Sequence, residues 1–197
     1  SYRAAIIQTA ASIAGKAFTE AEVEQLKMLP NSNNDWDVAY ALAIGVRDLG
    51  SIDRTGPEYA MVREKFQELY LGGLRDLEKL LVDKELLQTL RVKGYRLGIV
   101  TGRPRAEALY ALNRLIPNFF PPDSIIAMED CPEGKPSPKP LLLAKERLGC
   151  RSALYVGDTI NDALAAKAAG MRFVSVAPDV DSDFTIQNVN RILEVLA

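Results

Sequence analysis

The stretch Tyr155-Val156-Gly157-Asp158-Thr159-Ile160-Asn161-Asp162, continued by Ala163-Leu164-Ala165-Ala166-Lys167-Ala168-Ala169-Gly170, decides the architecture. Ala153 to Val156 reads as a buried strand that stops at Gly157-Asp158. Thr159 to Ala169 reads as an alanine-rich helix closed by Gly170, and Arg172 to Val176 as the next strand. Strand, helix and strand in so short a span make a parallel crossover unit, which buries a sheet between helices. Moving outward, the same rhythm continues. Asp83 to Lys93 predicts a helix, Tyr95 to Val100 a strand ending at Thr101-Gly102, and Pro104 to Leu115 a helix. Ser124 to Met128 predicts a short strand, Pro138 to Leu148 a helix, and Val189 to Leu196 a last helix. The expected fold class is α/β: a Rossmann-like, three-layer parallel sheet core.

The first part of the chain has a different texture. Ser1 to Ala14 is small and apolar in helical alternation and stops at Gly15. Thr19 with Glu22 three residues on is a capping-box start, and Pro30 ends that helix. A polar loop, Asn31 to Asp35, leads to a helix carrying Trp36, Val38, Ala41, Leu42 and Val46. Pro57 opens another, with Tyr59, Val62, Phe66, Leu69 and Tyr70 at helical spacing. Gly72-Gly73 marks the hinge. The expected organisation is an α-helical module over 1–75 and the sheet over 76–197.

Composition narrows the chemistry. The 197 residues hold 24 Lys+Arg, 26 Asp+Glu, two cysteines and no histidine. Without histidine there is no Ser-His-Asp or Cys-His catalysis and no His-ligated zinc or haem. A formal net charge of −2 argues against a nucleic-acid partner. Cys131 and Cys150 are too few and too isolated for a disulfide framework and suit thiols in a reducing cytosol. No apolar run approaches the roughly 18 residues of a membrane span. Any proton transfer or metal binding is expected to rest on carboxylates, Lys, Tyr, Cys or backbone, and the expected location is cytoplasmic.

Open parallel sheets bind ligands at the carboxyl ends of their strands. Thr101, Gly102 and Arg103 follow one strand, offering a hydroxyl and backbone N–H groups ahead of a helix. Lys135 stands in the proline-stiffened run Gly134-Lys135-Pro136-Ser137-Pro138-Lys139-Pro140, a point charge for an anion. Asp158 and Asp162 lie one helical turn apart, a hard oxygen site of the kind Mg²⁺ prefers; Thr159 with Asp162 is equally a capping box. Together these groups suit a phosphate with its Mg²⁺. The loop Asn31 to Trp36 and the pair Arg103 and Arg105 are candidate substrate contacts.

The order and spacing of these motifs resemble the haloacid dehalogenase superfamily, in particular its small, phosphoglycolate phosphatase-like members with a helical cap. I-V-T-G-R resembles the second motif of that family, with Thr101 as the phosphate-binding hydroxyl. G-K-P-S-P-K-P resembles the third, with Lys135 stabilising the phosphate. The stretch from Tyr155 to Gly170 resembles the fourth, with Asp158 as a Mg²⁺ ligand and Asp162 beside it. The resemblance implies a Mg²⁺-dependent phosphatase that hydrolyses a small phosphorylated metabolite through an aspartyl-phosphate. A phosphosugar mutase, or a non-catalytic binding protein lacking the nucleophile, are the alternatives.

The family's first motif, a strand ending in D-x-D-G that supplies the nucleophile, has no match. Asp35-Trp36-Asp37 follows a polar loop, and Asp179-Val180-Asp181 with the overlapping Asp181-Ser182-Asp183 comes after the fourth motif. A central strand carrying the nucleophile is therefore expected upstream of Ser1.

Overall fold

The computed structural model describes Ser1 to Leu196. The chain falls into two compact units, Ser1–Glu78 and Lys79–Ala197.

The first unit is helical: α1 (Tyr2–Ala14), α2 (Glu20–Lys27), α3 (Asp35–Ile44) and α4 (Pro57–Leu71). α1 buries Tyr2, Ala5, Ile6, Thr9 and Ala10, the three-and-four spacing of one helical stripe, and packs on α3 and α4. From α4, Tyr59, Val62, Phe66 and Tyr70 complete this core. The Tyr2 ring meets Tyr70 edge-on, centroids 4.5 Å apart. The Thr19–Glu22 capping box starts α2 as expected. Inside the unit, Asp37 is buried and accepts from Arg54 Nη2 and Tyr59 Oη, each at 2.7 Å. This buried carboxylate is thus paired, as burial demands.

The second unit alternates strands and helices. It runs α5 (Lys84–Val92), β1 (Ile99–Val100), α6 (Arg105–Leu115), β2 (Ile125–Ile126) and α7 (Lys139–Arg147). There follow β3 (Leu154–Gly157), α8 (Ile160–Ala168), β4 (Arg172–Ser175), β5 (Phe184–Thr185) and a 3₁₀ turn, Val189–Glu194. Every pairing is parallel: β1 with β2, β3 with β4, β4 with β5.

The strands form two sheets, β1-β2 and β3-β4-β5, with β1 and β3 unpaired to each other. Yet the core is shared across this break. Val100 of β1 joins Tyr155 of β3 in the cluster around Leu141, Ala165 and Phe173. Leu97, just before β1, joins Leu154 and Val156 in a second cluster around Leu90 and Val174. Burial is inverted for a parallel sheet: β2 is buried and β4 largely so, whereas β1 and β3 are half-buried throughout. Inner strands of a parallel sheet are normally covered best. β1 and β3 are therefore half-buried edge strands, each with a ladder on one side only among the described residues.

Three details differ from the sequence expectations. The strand over Tyr95 to Val100 shrinks to Ile99–Val100, because β1 has a ladder on one side only, to the two-residue β2. The last helix is a 3₁₀ turn ending at Glu194, opened by Asn188, whose side chain accepts the Asn190 N–H at 3.0 Å. β5 was not expected. The acidic run before it lacks any alternation, yet Asp183 exchanges two bonds with Phe173: its Oδ2 accepts the Phe173 N–H at 2.7 Å, and its own N–H donates to the Phe173 carbonyl at 3.1 Å.

Candidate active site

The end of β3 is built around close contact of backbone and carboxylate. Gly157 is the last strand residue, and a Cβ there would lie 2.6 Å from Cβ and Cγ of Asp162. Glycine is thus required for Asp162 to fold back from the first turn of α8 over the strand end. Thr159 caps α8, and its hydroxyl accepts the Asp162 N–H at 3.2 Å in a complete capping box.

Asp162 is 3% exposed, and both its oxygens are engaged. Oδ2 accepts from Asp158 N–H (3.2 Å), Thr159 N–H (3.1 Å) and Thr159 Oγ1 (2.7 Å). Oδ1 accepts from Lys135 Nζ at 2.6 Å and Tyr155 Oη at 3.1 Å. Lys135 also donates to Tyr155 Oη at 3.0 Å. Burial works against the charge of Asp162, but Lys135 and the donors around Thr159 hold its carboxyl below the usual range. Burial likewise opposes the ammonium of Lys135, yet Tyr155 and Asp162 hold it above the ordinary lysine value. Both groups are charged at neutral pH, and this desolvated pair meets the condition under which such a pair persists, namely full hydrogen bonding.

Asp158 is the counterpart. It is exposed, and its carboxylate accepts no hydrogen bond from the described residues. The expected division of labour therefore changes. Asp158 has oxygens open to a cation, whereas Asp162 is filled by Lys135, Tyr155, Thr159 and a backbone N–H, and acts as counter-ion of the lysine. No group of three acidic, thiol or imidazole side chains gathers at one point among the described residues.

Thr101 and Gly102 stand past the end of β1, on the other sheet. Thr101 N–H bonds to the Ile126 carbonyl at 2.9 Å, and its hydroxyl accepts the Arg103 N–H at 3.2 Å. The Gly102 N–H has no acceptor among the described residues. Among the described residues, no hydrogen bond joins Thr101 or Gly102 to the Lys135 cluster. Arg103 accepts the Met128 N–H on its carbonyl, tying this loop to the end of β2.

The other candidate contacts have structural work. Arg105 is ion-paired with Asp130 and donates to the Ile125 carbonyl at 2.9 Å, while Asp130 accepts the Ala127 N–H at 2.8 Å. These two side chains satisfy the outer edge of β2, and Arg147 joins Asp130 at 3.2 Å. In the loop Asn31 to Trp36, Ser32 is buried and donates to the Lys27 carbonyl at 2.7 Å. Lys27 pairs with Asp35, and the Arg63 guanidinium lies 5.9 Å from the Trp36 ring centroid. Tyr155 is the residue that sequence reasoning passed over. A phenol inside the apolar strand Leu-Tyr-Val-Gly, two residues from Gly157 and so on the same face, was the available signal.

The parallel α/β unit thus carries a nearly buried lysine, an open carboxylate and a free backbone N–H just past its strands. Residues 8–176 match the haloacid dehalogenase-like hydrolases, and the chain belongs to that family. A phosphoglycolate phosphatase of Haemophilus influenzae is 31% identical over 157 residues, which are 78% of this chain and 69% of that protein. An imidazoleglycerol-phosphate dehydratase of Phytophthora nicotianae is 39% identical over 181 residues, 86% of this chain but only 38% of that protein. The pyrophosphatase PpaX of Bacillus velezensis is 40% identical over 96 residues, 47% of this chain and 44% of that protein. The chain thus spans less than half the length of two of these relatives. Among solved structures, a HAD hydrolase of family IA from Entamoeba histolytica superposes with a TM-score of 0.76 at 19% identity, covering 96% of this chain and 86% of that one. That likeness concerns the fold. No helix among the described residues is long and apolar enough to cross a membrane.

Proposed function

We propose that this chain carries the phosphate-handling part of a Mg²⁺-dependent phosphomonoester hydrolase acting on a small phosphorylated metabolite. The observation that carries the reading is the arrangement at the end of β3: Lys135 held charged against Asp162, beside the open carboxylate of Asp158. Mg²⁺ suits that carboxylate because it keeps several waters and takes one or two protein carboxylates plus substrate phosphate. When bound, the cation neutralises charge on the phosphoryl oxygens.

The chain's own residues supply the rest. Lys135 presents its ammonium to a phosphoryl oxygen, Thr101 its hydroxyl and Gly102 its N–H, each aimed where negative charge develops. Asp158 orients the cation. The attacking carboxylate comes in this reading from a further strand seated between β1 and β3; it would displace the ester's alcohol to form an aspartyl-phosphate, which water then hydrolyses to orthophosphate and the free carboxylate. The membership of β1 and β3 in two separate sheets, and the half-burial of both strands, support that placement.

A second observation bears on the substrate. The Phytophthora relative is named an imidazoleglycerol-phosphate dehydratase, and the matching stretch is a minor part of that protein. This supports testing an imidazole-bearing phosphomonoester beside 2-phosphoglycolate. The experiment measures orthophosphate release by the full-length protein from both esters and from p-nitrophenyl phosphate, with Mg²⁺ or with EDTA. Release is expected to need Mg²⁺ and to fall at least about a hundredfold in Asp158→Asn, the scale of losing a charge-stabilising group. Release indifferent to both, or phosphoryl transfer to a sugar hydroxyl without free phosphate, would overturn the proposal.

A further inference from the structure

Resting on that reading, we propose that Tyr155 is a positioning residue that sets the direction of the Lys135 ammonium. A lysine ammonium is a point charge on a flexible four-carbon stem, with three rotatable donors and no fixed geometry of its own. A single acceptor would hold it at one point and leave it free to pivot. Here there are two. Lys135 Nζ donates to Asp162 Oδ1 at 2.6 Å and to Tyr155 Oη at 3.0 Å, and Tyr155 Oη donates in turn to the same Oδ1 at 3.1 Å. The three groups close a ring, so two of the three ammonium hydrogens are assigned and the direction of the third follows.

The phenol is itself fixed. Tyr155 sits inside β3, paired in register with Phe173 of β4, and the two rings stack with centroids 6.3 Å apart and planes 26° from parallel. The hydroxyl therefore reaches Lys135 from a strand rather than from a loop, as accurate placement requires. Asp162 is brought to the same point from α8 and Lys135 from the proline-rich loop before α7. Of the three, only Tyr155 is anchored to the sheet.

Tyr155→Phe removes the hydroxyl and keeps the ring, its stacking and its burial. In the full-length protein, kcat and kcat/KM are expected to fall together by about tenfold with KM within about twofold, the pattern of an interaction realised in the transition state. Phe173→Leu, which loosens the ring but keeps the hydroxyl and its bonds to Lys135 and Asp162, is expected to lower thermal stability and to lower kcat by less than Tyr155→Phe does. A second readout needs no turnover: the ¹H–¹⁵N ammonium resonance of Lys135, visible when its hydrogens are held, is expected to broaden in Tyr155→Phe. Wild-type kcat in Tyr155→Phe, or an unchanged ammonium resonance, would overturn the role. If the wild-type protein releases no phosphate, the proposed hydrolase fails, while the ammonium resonance still decides what Tyr155 does.

Discussion

Lys135 and Asp162, 27 residues apart in the chain, meet at 2.6 Å with side chains 10% and 5% exposed. The pair is a structural commitment as well as a chemical one, because each charge has lost most of its water. Removing one partner strands the other, whereas removing both charges together leaves a smaller problem. Asp162→Ala is expected to destabilise the second unit by about 3–5 kcal/mol, the range for an uncompensated buried ion. The double variant Lys135→Met with Asp162→Asn is expected to recover at least half of that loss, roughly 2 kcal/mol. Urea unfolding of the full chain measures both, and equal losses in the single and double variants would contradict the pairing.

Gly157 offers a test of how tightly the site is packed. A methyl group there would stand 2.6 Å from the Asp162 side chain, and the backbone of β3 cannot retreat without breaking its register with Ser175. Gly157→Ala is expected to cost about 1–3 kcal/mol, the usual range for an overpacked site. It should also displace Asp162 from Lys135, so phosphate release falls with stability. A variant with unchanged melting temperature and unchanged release would show that Asp162 yields without consequence.

Glu107 carries a pH dependence of stability. It lies buried in α6, and burial, reinforced by the Glu129 charge, pushes its carboxyl up to about 7. Its folded pKa therefore exceeds the unfolded one, so the folded state holds the proton more tightly. Its contribution is fully present below about pH 4.5 and is lost as pH rises through about 7, the reverse of a salt-bridged carboxylate. Glu107→Gln is expected to abolish this slope, leaving the variant more stable than wild type at pH 8 by about 3 kcal/mol. At pH 4.5 the two should be nearly equal. Denaturant midpoints at the two pH values measure the effect, and parallel profiles would refute it.

Much of the architecture was legible because it rests on short-range chemistry. Thr19 with Glu22 and Thr159 with Asp162 make the capping boxes their spacing announces. Pro57 opens α4, and the apolar runs ending at Val100 and Gly157 close strands followed by helices. What was not legible depends on partners far away in the chain. That the Arg105 guanidinium pairs with Asp130 and the Ile125 carbonyl at the edge of β2 is invisible along the chain, because its partners lie 20 and 25 residues away. β5 had no periodic pattern to reveal it, because its pairing comes from Asp183 reaching Phe173.

Sequence alone, then, determined which residue types stand past the strands of a parallel α/β unit, and that no histidine is among these 197 residues. Backbone propensity, capping and hydrophobic period act over a few residues, and so they can be read in order along the chain. Tertiary structure decided how those residues divide their roles. It set Asp162 against Lys135, left Asp158 open, placed Tyr155 between strand and lysine, and parted β1 from β3. Those outcomes turn on which side chains lose their water together, and only the packing of one crossover against another settles that.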